Sequence, residues 1–379
     1  MTHEKLPDPV LVTQVNDLVK LAQTLSSEPV IAVDTESNSL YAYQEQVCLI
    51  QFSTPEEDYL VDPLAVRDMS SLGPVFRNPQ IEKIFHAAEY DLFVLTRDYG
   101  YKFNNLFDTM IAARILGRDA LGLGSILDRE FGVHLEKRYQ RANWGQRPLP
   151  QHLLAYARLD THYLIPLRDR LHADLQAEGR WLLAQEDFER LTQVNLNGRF
   201  PDDPAVLCWR IRGAHDLDPQ QAAILLELCK YRDRVARNQN RPLFKVISNR
   251  ALLAIAENAP ANMRQLSQLP GMSNRQLSRH GKALLAATAR GLQAKPAYPP
   301  RSPRPDDDYL ERVDRLRRWR KLTAREMGVK SDVVMPKDLL YEIAKENPSQ
   351  QEELNEILSE VPWRRKRYGL QILDELAQM

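Results

Sequence analysis

The sequence predicts an α/β domain followed by two small all-α domains, and three observations carry that expectation. Through residues 1–200, short apolar runs bounded by turn residues are interleaved with helical patterns. Beyond Asn197 the pattern is helical almost throughout, and it repeats: sliding the chain by 88 positions pairs Leu228 with Leu316, Arg232 with Arg320, Val246 with Val334, Leu252 with Leu340, Ile255 with Ile343 and Gly281 with Gly369. Between the two copies, residues 294–305 hold five prolines, a composition that favours an extended spacer. The expected division is therefore residues 1–200, residues 201–293, a spacer at residues 294–307, and residues 308–379.

Taken in order, the elements follow from local chemistry. Apolar residues at helical spacing from Val15 to Leu25 predict an amphipathic helix, and Pro29-Val-Ile-Ala-Val-Asp34 predicts a buried strand. Gln46 to Ser53 and Asp58 to Asp62 read as two further strands, joined by Thr54-Pro-Glu-Glu57 over a distance short enough for a hairpin. Lys83-Ile-Phe-His86 begins a fourth strand. Asp108-Thr109 is placed to cap a helix that runs to Gly117, and Pro150 stands where another starts, with Leu153, Leu154, Ala157 and Leu164 on its apolar side. In the repeat, Leu252, Ile255 and Ala256 have helical spacing, so each copy is expected to be a small helical bundle with its own core.

Composition narrows the function classes. With 43% hydrophobic and 27% charged residues the chain is an ordinary globular one, which excludes disordered, collagenous and coiled-coil classes. No apolar run approaches the ~20 residues a membrane-spanning helix needs, and Met1 to Pro7 does not read as a secretory leader. Three cysteines, Cys48, Cys208 and Cys229, are too few for a disulfide framework and lack zinc-ligand spacing, so a cytoplasmic protein with no membrane contact is expected. The formal net charge of zero conceals a split: residues 1–200 hold 20 Lys+Arg against 28 Asp+Glu, and residues 201–379 hold 31 against 23. Most of the basic excess lies in residues 201–300, at 15 against 7. A basic segment joined to an acidic one suggests a polyanion held near a carboxylate site that needs cations, although solvated surface charge accounts for the same numbers.

Three places carry candidate chemistry. Asp34 and Glu36 close the first buried strand, and the two-residue alternation of a strand puts both on one face, where they repel each other unless a proton or metal ion intervenes. Asp91 follows the fourth strand where the chain turns into a helix, a position that also suits a first-turn acid. Tyr156 and Asp160 stand four residues apart in the helix after Pro150 and share a face, so a phenol lies beside a carboxylate. Taken singly, each has a bland explanation: a wet strand end, a helix cap, a half-buried aromatic. His86 reads as a packed histidine, Asp108 as a cap, and Trp144 as either a base-stacking surface or a loop anchor. The cluster Trp363-Arg-Arg-Lys-Arg-Tyr368 is equally a nucleic-acid surface or a solvated face.

In combination, and in that chain order, the two strand-end acids, the third acid and the Tyr-x-x-x-Asp pair resemble the three motifs of DEDDy 3′-5′ exonucleases. The run Asn143-Trp-Gly-Gln-Arg-Pro-Leu-Pro150 and the duplicated helical unit extend the likeness to the bacterial ribonuclease D family, in which such a domain precedes two HRDC domains. The resemblance covers nearly the whole chain, with Asn143 standing where many relatives place Asp. It implies a ribonuclease H-like mixed sheet flanked by helices. It also implies that Asp34, Glu36, Asp91 and Asp160 hold two divalent ions, Mg²⁺ or Mn²⁺, while Tyr156 orients a water that attacks the 3′-terminal phosphodiester. The implied substrate is RNA, foremost the 3′ trailers of tRNA precursors, acted on by a monomer. A DNA exonuclease built on the same acids and a catalytically silent RNA-binding adaptor are the competing expectations.

Overall fold

Strand-forming residues of the first part of the chain build one six-stranded sheet. The computed structural model describes residues 6–193, 203–300 and 305–377, so the expected boundary at residues 200/201 and part of the spacer, residues 301–304, lie outside the described residues. Two compact units emerge: one of residues 1–37, 47–195 and 304–379, the other of residues 38–46 and 196–303.

In the first unit, β1 (Val10–Val12), α1 (Val15–Ser27), β2 (Val30–Ser37), β3 (Val47–Ser53), β4 (Asp58–Val61), α2 (Gly73–Arg77), β5 (Glu82–Phe85), α3 (Glu89–Tyr99) and β6 (Leu106–Asp108) succeed one another. The sheet order is β1-β4-β3-β2-β5-β6, with β3 antiparallel to both β4 and β2 and the remaining neighbours parallel. Thus β3 and β4 form the expected hairpin, and β2, which carries Asp34 and Glu36, lies in the interior of the sheet. The edge strands β1 and β6 go beyond the sequence reading. At three residues each, they are too short to show a period and exist because a neighbour pairs with them.

One face of the sheet packs on α1 and α3 through Ile31, Val33, Ile50, Phe52 and Phe85. Helices cover the other face: α4 (Thr109–Ile115), α5 (Leu123–Phe131), α6 (Gln151–Ala157), α7 (Leu159–His162), α8 (Leu164–Ala177) and α9 (Trp181–Thr192). Asp108 caps α4 as expected, accepting from the backbone N–H groups of Met110 at 2.8 Å and Ile111 at 2.9 Å. The single helix expected after Pro150 is instead two short ones, α6 with Tyr156 and α7 with Asp160, followed by the 14-residue α8. Pro166 explains the second break, because it has no N–H for the carbonyl of His162.

The repeat is a repeat of structure. The second unit contains α10 (Pro204–Trp209), α11 (Pro219–Asn238), α12 (Leu243–Val246), α13 (Asn249–Asn258), α14 (Met263–Ser267) and α15 (Asn274–Gln293). Within the first unit lie α16 (Asp307–Met327), α17 (Ser331–Val334), α18 (Lys337–Glu346), α19 (Gln351–Ile357) and α20 (Pro362–Ala377), and α16 to α20 reproduce α11 to α15. Arg232 donates to the carbonyl of Ile247 at 3.3 Å and Arg320 to that of Met335 at 3.0 Å, so the repeated arginine performs the same task in both copies. Gly291 in α15 is required for close approach to α11, since a Cβ there would sit 2.4 Å from the Cα of Ile224.

The segment Asn38–Gln46, between β2 and β3, is built into the second unit. Tyr43 Oη donates to Asp233 Oδ1 at 2.5 Å, its backbone N–H donates to Asn240 Oδ1 at 3.1 Å, and Lys245 Nζ lies 3.9 Å from the centre of the Tyr41 ring. A disulfide joins Cys208 in α10 to Cys229 in α11, with Cα atoms 6.0 Å apart. One bond is no framework, so the cysteine count holds on that point; the pairing itself goes beyond the sequence reading, since helix packing brings together thiols 21 residues apart in sequence. Among the described residues no helix is long and apolar enough to cross a membrane.

Candidate active site

Four carboxylates and a phenol from three separate stretches of chain come together above β2. Asp34 and Glu36 share the β2 face covered by α7 and α8, and α7 packs on both β2 and β3. Asp91 occupies the first turn of α3 and is buried, while Asp160 in α7 and Tyr156 in α6 are buried beside the strand acids. All five residues expected at the site are therefore brought to one place.

Burial and mutual charge both act on the group. Burial, then the charges of Asp91, Asp160 and Glu36, push the Asp34 carboxyl well above the usual carboxylate range. Glu36 is raised well above that range by burial and by Asp160 and Asp91. Burial and then Asp91 take Asp160 up to about 8. Asp91 is taken up to about 7, chiefly by burial, against the opposing hydrogen bond it accepts from the Thr35 hydroxyl. Tyr156 is raised too, by burial and then by Asp160, Glu36 and Asp34. A phenol so placed stays protonated near neutral pH and can orient a water rather than deprotonate it.

Hard carboxylate oxygens crowded into a poorly solvated spot are the donor set that Mg²⁺ or Mn²⁺ prefers, and a cation would offset both the burial that raises all four acids and the repulsion that adds to it at Asp34, Glu36 and Asp160. As the side chains lie, no group of three or more His, Cys, Asp or Glu among the described residues stands in ion-holding geometry, so the fit is one of donor chemistry and charge. The shifts also set a pH dependence. A folded-state carboxyl raised above its unfolded value binds more protons when folded, so its contribution is fullest below about pH 4 and is lost as pH rises through about 7 and 8. In chelator, the melting temperature is expected to fall by roughly 5 °C or more between pH 5.5 and 8.5. Mn²⁺ should restore it at the higher pH, and a flat profile without metal would contradict the crowding described.

Other sequence candidates fall elsewhere. His86 is half-buried, its Nδ1 lies 2.9 Å from Thr109 Oγ1, and desolvation lowers its pKa, as suits a packed histidine. Trp144 is 1% exposed and packs with Leu49, Leu153 and Tyr156, so it anchors its loop and offers no face to a base. Arg147 holds the same loop, pairing with Asp62 at 2.6 Å and donating to the carbonyl of Cys48 at 2.7 Å. The cluster at 363–368 is neither wholly solvated nor wholly a surface: Arg364 is fully buried, while Lys366 and Arg367 are exposed. Two residues near the acids escape sequence reasoning, Thr35 and Gln51. The visible signal for Gln51 is a glutamine in the middle of the apolar run Val47–Phe52.

Comparison with known proteins bears on this site. A family model described as 3′-5′ exonuclease matches residues 9–176, and one described as HRDC domain matches residues 221–288 and 310–376. The chain is 32% identical over 269 residues to ribonuclease D of Gluconacetobacter diazotrophicus, covering 70% of this chain and 67% of that protein. It is 32% identical over 308 residues to protein RRP6-like 1 of Arabidopsis thaliana, covering 76% of this chain but 47% of that relative, about half its length. Among solved structures, that of Escherichia coli RNase D, described as an exoribonuclease involved in structured RNA processing, superposes with a TM-score of 0.72 at 25% identity, over 98% of this chain and 99% of that one.

Proposed function

The chain belongs to the ribonuclease D family of 3′-5′ exonucleases with HRDC domains, and from that premise we propose that it is a metal-dependent 3′-5′ exoribonuclease that trims the 3′ trailers of tRNA precursors and other structured RNA. The observation that carries this reading is the convergence of Asp34, Glu36, Asp91 and Asp160 with Tyr156, each acid raised by burial and, in most cases, by its fellows. On this reading the enzyme acts in the cytoplasm as a monomer.

In the reaction, water attacks the phosphorus of the last phosphodiester, the bond to the 3′ oxygen breaks, and a 5′-mononucleotide leaves while the shortened chain keeps a free 3′ hydroxyl. Asp34, Glu36, Asp91 and Asp160 would hold two divalent ions, Mg²⁺ or Mn²⁺, whose chemistry when bound is to acidify water and neutralise charge on the attacking and departing oxygens. Thr35, donating to Asp91, fixes one carboxylate oxygen and so the orientation of the other. Tyr156, neutral and next to Asp160, orients the attacking water by hydrogen bonding. The basic excess of residues 201–300 supports a role for the helical units in holding the body of the RNA by its phosphates, with affinity that falls steeply as salt rises.

The test is digestion of a 3′-extended tRNA transcript with Mn²⁺, with products sized over time. Stepwise shortening to the mature end, release of 5′-mononucleotides and abolition by EDTA are expected. Equal cleavage of a matched deoxyribo-oligonucleotide would favour the DNA exonuclease, and no cleavage at all the silent adaptor. Tyr156→Phe is expected to lower the single-turnover rate by about 100-fold or more while leaving Mn²⁺ binding unchanged. An unaltered rate would remove the phenol from the mechanism.

A further inference from the structure

Gln51 is fully buried in β3, and among the described residues neither its amide nitrogen nor its amide oxygen has a hydrogen-bond partner. A buried amide left unpaired at both its nitrogen and its oxygen is destabilising. Its position says what it waits for. In the antiparallel ladder Gln51 stands directly opposite Asp34, and directly opposed residues project to the same face with Cβ atoms about 5 Å apart. The same face of β3 carries Ser53, whose hydroxyl lies 2.8 Å from Thr161 Oγ1 in α7, and Leu49, which packs in the cluster of Tyr156. Gln51 therefore lies between these two, beneath the helices that deliver Asp160 and Tyr156, and across the ladder from Asp34.

We propose that Gln51 is a positioning residue of the acid cluster: in the cation-loaded protein its Nε2 donates to the Asp34 carboxylate and aims that carboxylate at the ion. The proposal rests on the reading of the cluster as a divalent-cation site. Groups that orient metal ligands in this way typically change metal affinity by about 10- to 100-fold when removed. A structural amide, by contrast, would reveal itself in the metal-free fold.

Gln51→Met preserves length and approximate shape while removing both polar ends. The full chain is stripped with EDTA, titrated with Mn²⁺ alone by calorimetry, and melted separately in chelator. The expected result is Mn²⁺ binding about tenfold or more weaker than in the unsubstituted protein, with a melting temperature in chelator unchanged or higher, because the apolar isostere leaves no unpaired amide. Equal Mn²⁺ affinity would overturn the proposal and leave the cation site standing. A melting temperature lowered in chelator by more than about 5 °C would overturn it in favour of a structural amide. If the unsubstituted chain itself takes up no Mn²⁺, the cation-site reading fails and the role of Gln51 fails with it.

Discussion

Asp34→Asn is expected to abolish cleavage for practical purposes, lowering the single-turnover rate by roughly a thousandfold or more, and at the same time to stabilise the metal-free protein. The two effects have one cause. Asp34 is the acid raised by all three others, Asp91, Asp160 and Glu36, so it stands at the centre of their repulsion. An amide of the same shape removes that repulsion, and the melting temperature in chelator at pH 8 should rise by roughly 3 °C or more. It also removes an anionic oxygen where a cation is to be held, so the added stability conferred by Mn²⁺ should shrink. A variant that loses activity and also melts lower without metal would show that Asp34 holds the fold together, and would count against the crowded-acid picture.

Arg364→Ala is expected to cost about 3–5 kcal/mol of unfolding free energy, measured by urea denaturation, because it strands the buried carboxylate of Glu186. Arg364 is 0% exposed. Its Nη1 lies 3.1 Å from Glu186 Oε2 and 2.8 Å from Asp187 Oδ1, and its Nη2 donates to the carbonyl of Val333 at 2.9 Å. Glu186 is 4% exposed and accepts from the backbone N–H groups of Trp363 and Arg364. Burial raises its pKa and Arg364 opposes that rise, so removing the guanidinium leaves a carboxylate that must either stay charged without a partner or take up a proton. Replacing Arg364 by Met together with Glu186 by Leu should recover much of the loss, since both ends of the main pair then become apolar. Neither group touches the acid cluster, so cleavage of a short oligonucleotide per folded molecule should persist.

The cluster Trp363 to Tyr368 shows why a sequence misleads here. Its composition suits either a surface for nucleic acid or a solvated face, and nothing local distinguishes Arg364 from Arg365. The distinction comes from α9, 177 residues earlier, where Glu186 and Asp187 await a cation. Trp144 behaves likewise: an aromatic beside glycine and glutamine is open to two readings until Leu49, Leu153 and Tyr156 close around it. The five residues of the proposed site were legible as candidates because they stand in short motifs whose residue types and spacing can be read along the chain. Gln51 was not, because a single glutamine in an apolar strand acquires meaning only from the residue across the ladder.

By itself the sequence determined the central strands, the amphipathic helix at Val15, the cap at Asp108 and the helical repeat, all set by periodicity, turn chemistry and capping within a few residues of where they act. The repeat extends even to backbone handedness: Asn240 and Gly328, and Ala259 and Asn347, stand at equivalent positions and all have positive φ. Only the tertiary structure decided the edge strands β1 and β6, the Cys208–Cys229 bond and the placing of residues 38–46 in one unit and residues 304–379 in the other. Each of these depends on surfaces far apart in the chain meeting with matched shape and charge, and no local pattern encodes which buried group will find its partner.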